Sequence, residues 1–163
     1  MASRRIRTIG IDPGPIPGLV ELRYLDRKLV HVGVLQVSAN LAAPTFVMLL
    51  AELSPTSWKT VVQVEKFIVT GRTAKLANAA ASATTRDMVG ALMREGEHFG
   101  IPVVQRTANQ AKAWATDARL DAAGLLDATK GMRHAKDAAR HALFAASHDV
   151  ALPDPLSKEF KAS

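Results

Sequence analysis

The sequence predicts an α/β fold, in which helices cover both faces of a mixed five-stranded sheet. Three strand-like runs come first in the 163-residue chain and are joined by short polar turns, as in an antiparallel meander. Helix-like and strand-like runs then alternate, which favours strands connected through helices. Two strand-like runs end in a carboxylate, and open α/β sheets build their sites at strand ends.

Four strand-like runs and one short apolar helix are predicted in the first part of the chain. Asp12 directly follows the first strand and precedes a stiff Pro/Gly turn that excludes helix. The second and third strands form a hairpin around the polar turn 26–28, and the fourth strand is rich in valine. In order, the strands cover 6–11, 19–25, 29–37 and 59–65, and the helix covers 45–53.

Three helices and one strand are predicted in the remainder. The first helix has an alanine-rich half and ends at Gly100, and the segment 117–133 has no clear pattern because Gly124 and Gly131 interrupt it. The elements cover 73–99 (helix), 101–105 (strand), 108–115 (helix) and 134–148 (helix). One domain over 1–150 is therefore expected, followed by a basic C-terminal tail, 151–163. Pro153 and Pro155 are expected to end the ordered part, so that 156–163 is loose.

Composition limits the function classes. Lys plus Arg number 21 against 15 acidic residues, and the net charge of +6 favours a polyanionic partner such as DNA, RNA or an anionic membrane, or is ordinary solubility charge. The absence of cysteine excludes disulfides, thiolate metal sites and cysteine nucleophiles. No apolar run approaches the roughly 20 residues of a membrane span, and the basic start lacks a signal peptide's apolar stretch. We therefore expect a cytoplasmic protein.

Carboxylates at three distant places predict a metal site. Asp12 and Glu65 end the first and fourth strands, and Asp137 lies near the start of the last helix, three residues after His134. If the two strands are neighbours, all three carboxylates meet, and grouped carboxylates need a counter-charge. Hard oxygen ligands suit Mg²⁺, with Mn²⁺ as a substitute, and two ions about 4 Å apart could hydrolyse a phosphodiester.

Each of these residues also has a simpler interpretation. Asp12 could only begin a turn, Glu65 could be an ordinary strand-end charge, and Asp137 could complement a helix dipole. His141, four residues after Asp137, competes with His134 as the imidazole of the site.

Three motifs resemble the RuvC family of Holliday junction resolvases, within the RNase H-like superfamily. They are GIDPG at 10–14, VEK at 64–66 and HAKDAA at 134–139. The resemblance covers most of the chain and implies an RNase H-like sheet with Asp12, Glu65, His134 and Asp137 as catalytic metal ligands. It also implies a homodimer that cleaves Holliday junctions or other branched DNA, for which we expect 5′-phosphate and 3′-hydroxyl ends.

The sequence also departs from the family pattern. Pro15-Ile16-Pro17 stands where the family has a small polar residue, and the family's basic segment after the fifth strand is matched only loosely around Lys112. In another alignment of the last-helix motif, Arg140 takes the position of a carboxylate. Such divergence suits a phage-type member acting in a bacterial host cell. Alternatives are an RNase H-like nuclease for flaps or RNA–DNA hybrids, and an inactive branched-DNA-binding protein; the chain is short for an actin-like ATPase. The sequence does not indicate whether the protein has a helicase partner.

Basic residues on both sides of the predicted site could contact DNA phosphates, or could be a solvated surface. Phe67 could stack on or wedge apart a base, or cap the core. The alanine-rich face of helix 73–99 could form the dimer interface or pack on its own sheet. The candidate DNA contacts are Lys66, Phe67, Arg72, Lys75, Arg86, Lys112, Arg133, Lys136 and Arg140.

Overall fold

The computed structural model describes residues 4–52, 57–68 and 79–162, and it contains the predicted five-stranded mixed sheet. The strand order is β3-β2-β1-β4-β5; β1 is antiparallel to β2 and parallel to β4, and β5 is parallel to β4. The strands are β1 (Arg5–Asp12), β2 (Gly18–Leu25), β3 (Lys28–Gln36), β4 (Lys59–Glu65) and β5 (Val103–Arg106). The predicted meander followed by β/α units is confirmed.

Helices lie on both faces of this sheet, and several are only one or two turns long. They are α1 (Ala42–Glu52), which follows a 3₁₀ turn over Ala39–Leu41, α2 (Ala79–His98), α3 (Ala108–Trp114), α4 (Asp117–Ala122), α5 (Leu125–Ala128), α6 (Arg133–His148) and α7 (Lys158–Ala162). Within the described part of the chain, no helix is both long and apolar enough to cross a membrane.

Side chains of β1 alternate between two apolar cores. Ile9 and Ile11 belong to a core that includes residues of α1 and α2. Ile6, on the opposite face, belongs to a core that includes residues of α4, α5 and α6. The sheet is therefore covered by α1 and α2 on one face and by α6 and its neighbours on the other.

Helix α6 lies unusually close to the sheet. A Cβ atom on Gly10 would lie 2.0 Å from the carbonyl oxygen of Ala138 and 2.4 Å from the amide nitrogen of Ala142. A Cβ atom on Gly18 would lie 2.2 Å from the carbonyl oxygen of His134. Glycine on the strands and alanine on the helix thus let the two backbones meet, which fixes the position of α6 relative to β1.

A buried ionic group stabilises the face of the sheet toward α1. The guanidinium of Arg7, which is 1% exposed, pairs with Glu21 and also donates to the carbonyl oxygen of Leu49. Arg23 donates two hydrogen bonds of 2.9 Å to the same carboxylate. Burial raises the pKa of Glu21, but the hydrogen bonds and positive charges of Arg23 and Arg7 outweigh it, so the pKa is lowered overall.

Several segments differ between prediction and structure. The tail is not loose after Pro155, because α7 forms there and Phe160 packs against the core to which α4, α5 and α6 contribute. The first helix begins before Pro44 rather than after it, since proline is tolerated in a first turn. The unassigned segment 117–133 forms α4 and α5, with Gly124 in the left-handed region before α5. Part of the predicted helix 73–99, residues 73–78, lies outside the described residues.

Candidate active site

The sheet brings Asp12 and Glu65 to one place. Strands β1 and β4 are parallel neighbours, and Ile11 is in register with Val64, so the next residue on each strand is a carboxylate. Strand alternation directs both carboxylates away from the α1 side and toward α6. The predicted convergence of the two strand ends is present.

Helix α6 presents three ionisable side chains to this strand edge. His134 Nδ1 lies 2.7 Å from Asp12 Oδ2, and His141 Nε2 lies 3.3 Å from Glu65 Oε2. His134, Asp137 and His141 are spaced three and four residues apart and therefore share one face. Each histidine thus contacts a different carboxylate, and His134 as the metal-ligating imidazole stays a prediction.

The backbone around His134 is adapted to the imidazole. A Cβ atom on Gly14 would lie 2.7 Å from the Cε1 atom of His134, so the loop after β1 can pass the ring only with glycine at that position. The amide of Ala135 donates a 3.1 Å hydrogen bond to the Gln36 side chain. These contacts hold the first turn of α6 against both the loop and β3.

Lys112 lies between the second and third carboxylates. Its Nζ atom is 2.9 Å from Asp137 Oδ2 and 3.9 Å from Glu65 Oε2. The lysine belongs to α3, whose start is fixed by a capping box between Thr107 and Gln110. The residue predicted as a DNA contact is thus an ionic partner of the predicted metal ligands.

Arg140 is a second cation at Asp137. Its Nε atom lies 3.5 Å from Asp137 Oδ1, while its terminal nitrogens contact the Ala115 carbonyl oxygen at 2.7 Å and Asp117 Oδ1 at 2.6 Å. Asp117 also accepts from Lys136 at 2.9 Å. The hydrogen bond from Lys136, followed by that from Arg140, lowers the pKa of the Asp117 carboxyl.

Asp12 lies in an unfavourable environment for a negative charge. It is only 8% exposed. Burial is the main cause that raises its pKa, and the charges of Glu65 and Asp137 add to the effect, whereas the hydrogen bond and charge of His134 oppose it. The negative charges of Glu65 and Asp137 therefore act on the buried Asp12 carboxylate.

The side chains near Asp12 suit a metal ion better than those near Asp137. Carboxylate and imidazole groups at Asp12 and His134 are suitable donors for Mg²⁺ or Mn²⁺. Over residues 4–52, 57–68 and 79–162, however, no three His, Asp or Glu side chains are grouped in the arrangement of a metal site. At Asp137, the cationic groups of Lys112 and Arg140 occupy the neighbourhood of the carboxylate instead.

The other predicted DNA contacts are distributed around the site. Lys66 is exposed directly after Glu65, and Phe67 is half-buried. Arg86 and Arg133 are exposed, whereas Lys136 and Arg140 are paired with Asp117. Arg72 and Lys75 lie outside the described residues.

Arg106 is a residue near the site that sequence reasoning missed. It is in register with Glu65 across the β4–β5 pair, and its Nη2 atom lies 3.0 Å from Asp149 Oδ1. Its guanidinium also lies 5.9 Å from the centre of the Phe144 ring. The sequence signal that could have identified it is its position at the carboxyl end of the fifth strand. Asp12 and Glu65 were selected because they lie at the carboxyl ends of the first and fourth strands.

Comparisons with known proteins agree with this architecture. No protein-family profile and no curated protein sequence matches the chain. Among solved structures, RuvC of Thermus thermophilus in complex with a Holliday junction substrate is 20% identical, with a TM-score of 0.60 over 93% of this chain and 99% of that one. Another Thermus thermophilus RuvC structure is 21% identical, with a TM-score of 0.58 over 92% and 99% of the two chains.

These likenesses define the fold. The mixed sheet, with carboxylates at the ends of β1 and β4, places the chain in the RNase H-like class of α/β folds. Within that class, it has the fold of RuvC along nearly its whole length, which confirms the fold that the resemblance implied.

Proposed function

We propose that this chain is a metal-dependent endonuclease that hydrolyses phosphodiesters in branched DNA, with Holliday junctions as its first candidate substrate. The observation that carries the proposal is the convergence of Asp12, Glu65 and Asp137, from three separate elements, on a RuvC fold. The RuvC structure bound to a Holliday junction substrate supports branched DNA as the ligand. The expected products are 5′-phosphate and 3′-hydroxyl ends.

The proposed cofactor is Mg²⁺, with Mn²⁺ as a substitute, and two ions per site are the number that the resemblance implies. Asp12, Glu65, His134 and Asp137 are the side chains that would hold metal. A bound ion would supply Lewis acidity that activates water and offsets charge on the leaving oxygen.

The side chains of the protein contribute position and charge. His134 orients the Asp12 carboxylate through the 2.7 Å contact, and His141 holds Glu65 from a fully buried position. Lys66 and Arg106 flank Glu65 with positive charge, where a phosphate group entering the site would be stabilised. Most of the catalytic effect is therefore expected from preorganised geometry and electrostatics.

A homodimer is part of the proposal, since two sites related by a two-fold axis can cut two strands of a junction symmetrically. In the described part of α2, Met88, Val89 and Leu92 pack into the chain's own core, so an interface would use another face of that helix. The bacterial cytoplasm, that of the host if the chain is phage-encoded, is the proposed place of action.

A cleavage panel tests the function. Four-way, three-way, flap, RNA–DNA hybrid and linear duplex substrates would be incubated with wild type, Asp12→Asn and, as a matched control, Asp87→Asn, an exposed carboxylate on α2. We expect junction cleavage in Mg²⁺ or Mn²⁺ by wild type and the control, and none by Asp12→Asn, which still binds the junction. Full activity of Asp12→Asn would refute the assignment of the site, and preferential cleavage of flaps or hybrids would refute the substrate class.

The second candidate is a branched-DNA-binding protein without catalysis. The ion pairs of Lys112 and Arg140 with Asp137 favour it, because they neutralise a carboxylate that a nuclease would use for metal. Tight junction binding with no cleavage in either metal, for wild type as for Asp12→Asn, would support this candidate instead.

A further inference from the structure

We propose that the ammonium group of Lys112, which lies between Glu65 and Asp137, takes the place of one of the two divalent ions. Each chain then binds a single ion, on the Asp12 side of the site. The inference rests on the proposed function, which supplies the expectation of two ions. It makes Lys112 a fixed counter-charge of the site rather than a DNA contact.

The distances place one cation where an ion would bridge two carboxylates. Lys112 Nζ lies 2.9 Å from Asp137 Oδ2 and 3.9 Å from Glu65 Oε2. The two carboxylates are only 18% and 22% exposed, so solvent screens their charges less than those of surface carboxylates. A divalent ion on the same oxygens would have to displace the ammonium or remain within a few ångström of a like charge.

Arg140 makes displacement harder at Asp137. Its side chain is 14% exposed and anchored at both terminal nitrogens, by Ala115 and Asp117, while its Nε faces Asp137 at 3.5 Å. An ion that expelled Lys112 would still meet this second positive charge. Asp12, by contrast, is hydrogen-bonded to the His134 imidazole, which can itself serve as a metal ligand.

The fold determines where Lys112 lies. The capping box of Thr107 and Gln110 fixes the first turn of α3, and Ala111, directly before the lysine, is fully buried. The lysine side chain itself is 39% exposed, so a substitution there changes the charge of the site without opening the core.

Metal stoichiometry measured without DNA tests the proposal. Full-length wild type, Lys112→Met, Lys112→Arg and Lys59→Met would be titrated calorimetrically with Mn²⁺. Lys59 is an exposed lysine at the opposite end of β4, so its replacement removes the same formal charge away from the site. Thermal melts would verify that every variant is folded.

We expect one Mn²⁺ per chain for wild type, Lys112→Arg and Lys59→Met, and a second Mn²⁺ for Lys112→Met. Anomalous diffraction from Mn²⁺-soaked crystals should place the additional ion beside Asp137 in that variant alone. Two ions in wild type, or a single ion in Lys112→Met, would overturn the proposal.

Failure of the inference is distinguishable from failure of the proposed function. If wild type cleaves junctions but binds two ions, the function stands and the role of Lys112 is wrong. If the predicted stoichiometries are found but no substrate is cleaved, the role of Lys112 stands and the nuclease assignment is wrong.

Discussion

Replacing Gly10 with alanine tests how closely α6 is fitted to the sheet. Gly10 lies on β1 two residues before Asp12, on the face that α6 covers. The new methyl carbon would lie 2.0 Å from the carbonyl oxygen of Ala138 and 2.4 Å from the amide nitrogen of Ala142. Both atoms belong to the helix backbone, so no side-chain rotation can relieve the overlap.

The size of the effect follows from these distances. Real Cβ atoms essentially never approach another heavy atom within 3.0 Å, so α6 must retreat by about 1 Å or more and lose contacts along its buried face. Overpacking of a core typically costs 1–3 kcal/mol, and a backbone clash belongs at the upper end, so we expect a loss of about 3 kcal/mol. For a chain of this size, that loss lowers Tm by roughly 6–12 °C.

Urea and thermal unfolding followed by circular dichroism provide the assay, with Gly90→Ala as the matched control. Gly90 lies within α2, and a Cβ there would meet only the flexible end of Arg94 at 3.5 Å. The control should gain about 0.5–1 kcal/mol, because alanine restricts the unfolded chain and favours helix. Ala142→Gly should not rescue Gly10→Ala, since the two nearest atoms are backbone atoms.

A Gly10→Ala protein as stable as wild type would refute the reasoning, because α6 could not then lie against β1 at the stated distance. Rescue by Ala142→Gly would also contradict it. The displaced helix carries His134, Asp137 and His141, so the proposed DNA cleavage and metal binding should fall together with stability.

Three further predictions concern the site, the ionic group and the C-terminal helix. Asp12→Asn should raise the Tm of the ion-free protein, because burial raises the pKa of the native carboxyl and a buried ionised carboxylate is costly. A fall in Tm would contradict this. Glu21, whose pKa is lowered on folding, adds stability that is present above its unfolded pKa, about 4.5, and is lost as pH falls toward the lower folded pKa. The free energy of unfolding of Glu21→Gln should therefore be lower by about 3 kcal/mol at pH 7, since Arg7 stays buried without its partner. In urea unfolding between pH 6 and 3, the stability of this variant should also depend less on pH than that of wild type. Parallel pH profiles for the two proteins would refute this role of Glu21. Phe160→Ala should cost about 1–2 kcal/mol by urea unfolding, whereas the exposed neighbour Lys161→Ala should cost less than about 0.5 kcal/mol; equal effects would mean that α7 does not pack on the core.

The strands were predictable because their signals are local. The predicted fourth strand, 59–65, coincides with β4, and the predicted first strand lies within β1. Periodicity of two and a terminal Pro/Gly turn determine such elements without tertiary information. The fifth strand was predicted two residues early, because Pro102 lacks the amide proton that a paired strand residue donates.

The ionic partners of the site were not predictable, because they depend on packing between distant elements. Lys112 was expected to contact DNA, and nothing in its immediate sequence indicates a place between Glu65 and Asp137. The same holds for the pairing of Arg140 with Asp117, 23 residues earlier in the chain. The C-terminal segment was also misjudged. Leu152 and Phe160 pack on the core and Asp154 pairs with Arg119, and these contacts depend on distant elements.

The separation of Asp12 and His134 by 122 positions has a consequence during protein synthesis. A ribosome releases β1 early, but α6 emerges only when most of the chain has been made, and the first carboxylate lacks its imidazole partner until then. The incomplete polypeptide therefore cannot assemble the site, and any activity that depends on it begins only after α6 has docked. Under the proposed function, a partly made chain therefore does not cleave DNA.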